Sequence, residues 1–135
     1  MLSIGDNYAT NFSFTQNQVN AFAELTGDTN PIHIDDEFAS KTPFKKPIMH
    51  GFLSASIFSR VLGTEFPGNG SVYLSQQMDF LRPMFVNEEY VANFEITEID
   101  SRRKTAIIKT TITSVANKKV MVKGEAKIMH QELIA

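Results

Sequence analysis

The chain has 135 residues, 42% apolar and 21% charged, with a formal net charge of −2. That length suits one domain spanning 1–135, able to bury roughly two-thirds of its unfolded surface. The slightly acidic balance, without a Lys/Arg run, offers no face for nucleic acid, and the lack of cysteine excludes disulfides, thiol nucleophiles and thiolate metal sites. Met1 to Asp6 carries neither the basic nor the apolar block of a signal peptide, and no apolar run spans a bilayer. The expected compartment is the cytoplasm, with no membrane partner.

Tyr8 to Phe14 alternate weakly and predict a first strand. Thr15 reads as an N-cap, with Gln18 completing a capping box. Val19, Phe22, Ala23 and Thr26 then follow at helical spacing, so Gln16 to Thr26 is a predicted amphipathic helix. Gly27 suits its end, because glycine tolerates the left-handed conformation a helix C-terminus often needs. Pro31 lacks an N–H and biases Asn30 toward extended backbone. Asp28 and His33 therefore sit five residues apart on a short stiffened segment. They form either an acid/base dyad or a helix-ending turn with a solvated histidine. Asn30 reads as structural, its amide bonding the local backbone. Asp35 to Ala39 predicts another helical turn, and Lys41 to Pro47 an exposed, turn-rich stretch.

From Gly51 to Leu62 almost no polar face remains, which predicts a buried helix stopped by Gly63. His50, just before it, reads as a hydrogen-bonded structural residue. Gly51 is either a packed glycine or an amide donor at a helix N-terminus, where dipole and free N–H groups favour negative charge. Ser59 either bonds back to its own helix or faces a ligand, and Leu62, one turn on, is tunnel wall or plain core. After a turn at Pro67 to Gly70, four alternating runs follow: Val72 to Phe80, Tyr90 to Thr97, Ala106 to Ile112 and Val120 to Ile128. The connections Arg82 to Glu88, Asp100 to Lys104 and Ala116 to Lys118 are short enough for antiparallel hairpins. Arg82 is either a loop charge or a phosphate contact. The pattern predicts an α+β fold, and an antiparallel five-stranded sheet wrapped around a central helix, the hotdog fold, is one arrangement that fits.

Phe22, Leu25-Thr26-Gly27-Asp28, Asn30-Pro31-Ile32-His33 and Ala39 together resemble the hydratase-2 motif. Pro47-Ile48-Met49-His50-Gly51, Leu62-Gly63, Pro67-Gly68, Gly70-Ser71, Tyr73 and Phe80 extend the resemblance over nearly the whole chain. The sequence is similar to the MaoC-like, (R)-specific enoyl-CoA hydratases, especially the single-hotdog type that supplies polyhydroxyalkanoate synthesis. The resemblance implies a homodimer that hydrates trans-2-enoyl-CoA to (R)-3-hydroxyacyl-CoA without metal or redox cofactor. It assigns Asp28 and His33 the acid/base work, Gly51 the thioester oxygen, and Ser59 a place near the dyad. Rival readings are a thioesterase or acyl-carrier-protein dehydratase, and a non-catalytic acyl-binding hotdog subunit, which would be expected to lose Asp28 or His33.

Overall fold

The capping box at Thr15 forms as the sequence predicts. Thr15 Oγ1 accepts from the Gln18 N–H at 3.2 Å, and Gln18 Oε1 accepts from the Thr15 N–H at 2.9 Å. In this computed structural model, which describes residues 1–135, helix α1 then runs Gln16–Thr26 and buries Val19 and Ala23. It follows strand β1 (Asn7–Phe12) and leads through two short helices, α2 (Pro31–Ile34) and α3 (Asp36–Ser40), to the long helix α4 (Gly51–Thr64). Strands β2 (Val72–Phe80), β3 (Tyr90–Asp100), β4 (Thr105–Ser114) and β5 (Val120–Met129) complete the chain.

The five strands form one antiparallel sheet in the order β1-β3-β4-β5-β2. Its concave face holds α4, whose Leu53, Ile57, Phe58, Val61 and Leu62 join one core cluster with Phe94, Ile96, Ile108, Ile112, Val122 and Ile128. Phe58 meets Phe94 edge to face, with centroids 5.8 Å apart. A sheet curled around a buried central helix is the hotdog architecture.

One local expectation holds and two are corrected. Asn30 keeps the extended ψ of 122° that a following proline favours, and Pro31 then opens a helical turn at the first helical position, where a missing N–H costs nothing. Helix α4 continues past Gly63: Thr64 Oγ1 donates back to Arg60 O, the Glu65 N–H reaches Val61 O, and the chain breaks away only at Pro67. The connection Arg82 to Glu88 is no hairpin. It carries the chain from β2, at one edge, past β5 and β4 to β3. Neighbouring strands lie about 4.8 Å apart, so a crossing of three spacings is roughly 14 Å, within reach of seven residues. The Met49 N–H bonds Met84 O at 2.8 Å within it.

Tyr90 anchors this crossing. Its side chain is 1% exposed, and its hydroxyl accepts from the Phe85 N–H at 2.9 Å and donates to Glu88 at 3.1 Å. Burial pushes its pKa up to about 12. The unfolded chain therefore ionises first, near pH 10. The stability this tyrosine contributes is complete below pH 10 and is lost as pH rises toward 12. Tyr90→Phe strands the Phe85 N–H and should cost about 1–3 kcal/mol at pH 7. Urea melts at pH 7 and pH 11 should show the gap between variant and wild type narrowing at the higher pH.

Candidate active site

Gly27, at φ 79°, closes α1 with its N–H on Ala23 O and turns the chain outward. Asp28 comes next, exposed, its N–H on Thr26 Oγ1. Asn30 Oδ1 accepts from the Ile32 N–H at 3.1 Å and so caps α2, the single turn that carries His33. Gln16 Nε2 donates to His33 O at 3.0 Å, fastening that turn to the first residue of α1.

The His33 ring is fixed by a main-chain group. Its Nδ1 lies 2.7 Å from Ile48 O. A carbonyl can only accept, so Nδ1 carries a proton, and in the neutral ring Nε2 is the nitrogen with the lone pair. His33 is thereby presented as a base. Asp28, His33 and His50 each bring a donor atom within 4.8 Å of the others. His50, buried, places Nε2 3.0 Å from Asp28 O, and its ring lies over that of His33, with centroids 3.9 Å apart and planes 30° apart.

His50 is also the N-cap of α4, yet its side chain makes no capping bond. The first N–H groups of a helix have no acceptor within it, and the Gly51 N–H finds none elsewhere in the chain. The positive end of α4 thus stays open beside the Asp28/His33 pair. Gly51 also has to be small. A Cβ there would stand 2.9 Å from Cε1 of Phe80, whose ring lies against the helix start.

These groups share a cavity of about 870 Å³, lined by Phe22, Asp28, His33, Gly51, Phe80 and Met84 among others. Arg82 is the one Lys or Arg on its wall. Such a space, mostly apolar with a few convergent polar groups, suits a small organic ligand. Asp28, His33 and His50 are also the residues that could hold a metal ion. Their arrangement fits one poorly, because each imidazole already commits one nitrogen to a main-chain carbonyl, His33 Nδ1 to Ile48 O and His50 Nε2 to Asp28 O.

Ser59 lies elsewhere. It is exposed and lines a second hollow of about 370 Å³ with Ser56, Tyr73 and Gln76, which adjoins the first only through Phe52. Leu62 is 1% exposed and belongs to the core. The structure therefore brings together Asp28, His33 and Gly51, sets Asn30 behind them as the α2 cap, and leaves Ser59 and Leu62 out. Sequence reading gave His50 a structural part only, and its contact with both Asp28 and His33 is a long-range one.

Residues 3–119 match the family model described as MaoC like domain. The chain belongs to the MaoC-like family. Within it, this MaoC-like chain is 39% identical over 127 residues to the (R)-specific enoyl-CoA hydratase of Aeromonas caviae, covering 94% of each chain. The solved structure of an (R)-hydratase from A. caviae involved in PHA biosynthesis superposes with a TM-score of 0.92 at 38% identity, covering 96% of this chain and 98% of that one. A mitochondrial 3-hydroxyacyl-[acyl-carrier-protein] dehydratase of Arabidopsis thaliana is 31% identical, over 93% of this chain and 76% of its own. The MaoC-like match contains every site residue named above.

Proposed function

We propose that this protein is an (R)-specific enoyl-CoA hydratase, a hydro-lyase adding water reversibly to trans-2-enoyl-CoA to give (R)-3-hydroxyacyl-CoA. The observation that carries the reading is the 2.7 Å contact between His33 Nδ1 and the Ile48 carbonyl. The Ile48 carbonyl leaves Nε2 basic beside the Asp28 carboxylate, at the open N-terminus of α4.

The chemistry follows from those positions. C3 of an enoyl thioester becomes electrophilic when electron density moves onto the thioester oxygen. The Gly51 N–H and the α4 dipole stabilise that charge, and a donor of this kind is worth about 3–4 kcal/mol. Asp28 and His33 Nε2 hold one water and take its proton as the C3–O bond forms. A proton from the same pair goes to C2, so both bonds form on one face of the double bond and the addition is syn. A positioned base of this type contributes about 10²–10⁴ in rate.

Arg82 would meet the phosphates of the CoA portion at the cavity wall. Arg82→Ala should raise KM for crotonyl-CoA about tenfold, the scale of one charged contact, and leave KM for crotonyl-N-acetylcysteamine, which carries no phosphate, unchanged. Steady-state kinetics on the two thioesters check this.

The proposal includes one domain over residues 1–135, action in the cytoplasm, polyhydroxyalkanoate supply as the product's destination, and a homodimer. Support for the dimer comes from β2, an edge strand whose Val72, Tyr73 and Leu74 are exposed beside Phe52, itself 72% exposed. An uncovered apolar edge is a liability that pairing with a second copy removes. The second reading, dehydration of carrier-protein thioesters, is favoured by the Arabidopsis relative.

The deciding experiment follows the loss of conjugated enoyl-thioester absorbance with crotonyl-CoA, with chiral analysis of the product. Rapid loss giving the (R)-3-hydroxy product supports the reading. Turnover of crotonyl-carrier protein alone would replace it with the second, and release of free thiol would replace both with a thioesterase.

A further inference from the structure

We propose that His50 is a positioning residue, setting the main chain of Asp28 and the ring of His33 in place against each other; this rests on the hydratase reading above. His50 is 2% exposed and stands at the head of α4, so the central helix fixes it rather than the loop it touches. Its Nε2 lies 3.0 Å from Asp28 O and, facing a carbonyl, must donate. One ring face covers His33 at 3.9 Å between centroids, and Phe22 closes against the ring at 4.8 Å. A single imidazole thus holds the acid through its main chain and the base through its ring.

The other nitrogen separates this role from simple packing. Nδ1 of His50 is buried and has no hydrogen-bond partner. Buried polar groups are nearly always satisfied, so packing alone does not account for a histidine here. With Nε2–H committed to Asp28, Nδ1 makes no bond of its own within the chain. A phenylalanine would fill the space and leave Asp28 O unpaired. A glutamine would keep the donor and lose the ring.

Those two substitutions form the test. His50→Gln places an amide N–H where Nε2 stands and, with the His33 ring still tethered to Ile48 O, should keep kcat on crotonyl-CoA within about fivefold of wild type. His50→Phe should lose about tenfold or more in kcat with KM within twofold, since small misplacements of reacting groups cost rate rather than binding. Thermal melts on both variants separate rate from stability. Packing alone predicts the reverse order, with Phe at least as active as Gln, and that order would overturn the assignment. If neither variant folds, ¹⁵N-imidazole NMR of the wild type decides: Nε2–H on His50 with Nδ1–H on His33 supports it, and Nδ1–H on His50 overturns it. Wild-type protein inert toward enoyl thioesters would sink the hydratase reading, whereas the tautomers would still report on His50.

Discussion

An Asp28→Asn protein is expected to fold as the wild type does and to hydrate crotonyl-CoA at least about 10²-fold more slowly. The fold is spared because Asp28 is exposed and its carboxylate makes one weak internal contact. Oδ1 accepts from the Asn30 N–H at 3.4 Å, which an asparagine carbonyl can also do. Exposed substitutions of this kind usually change stability by no more than about 0.5 kcal/mol. The rate is not spared, because an amide cannot accept the water proton near neutral pH. His33 would still hold the water through Nε2, so binding should suffer less than turnover. Matched thermal melts beside the absorbance assay check both halves, and a folded variant with near-normal kcat would remove Asp28 from the mechanism.

Gly124→Ala should have the largest effect on stability. Gly124 pairs with Met78 across β5 and β2 and with Thr110 across β5 and β4. A Cβ there would stand 1.9 Å from Gln77 O and 2.7 Å from Met78 Cα, both main-chain atoms that no rotamer change moves aside. One strand has to shift, at a cost on the order of 3 kcal/mol. For a chain of this size that is a fall in Tm of roughly 10 °C. Activity should fall with it, because β2 ends in Phe80, whose ring lies against Gly51. A variant melting within a degree or two of wild type would show that the sheet opens there freely.

What the sequence made legible is largely what is local. The start and end of α1 follow from Thr15, Gln18 and Gly27, each acting within a few residues. Asp28 and His33 were visible as a pair because only four residues, Pro31 among them, lie between them. Gly63 misled because an isolated glycine weakens a helix without ending it, and the actual terminator, Pro67, lies further on. The Arg82 to Glu88 hairpin misled because loop length permits a hairpin without requiring one, and pairing of β2 with β5 depends on distant residues. His50 and Gly124 show the same limit. One reaches Asp28 across 22 positions and the other touches a strand far earlier in the chain, so no window of sequence contains either contact.

The strand order also has a kinetic consequence. Strands β3, β4 and β5 are joined by short turns and can zip together at small entropic cost. Strands β1 and β2 must find β3 and β5 across long stretches of chain. Closing those loops costs roughly 2–3 kcal/mol more than closing a hairpin turn. Asp28, His33 and Gly51 all lie between β1 and β2. Refolding should therefore build the three-strand meander first, and the chemistry of the protein should emerge last, when both edges dock.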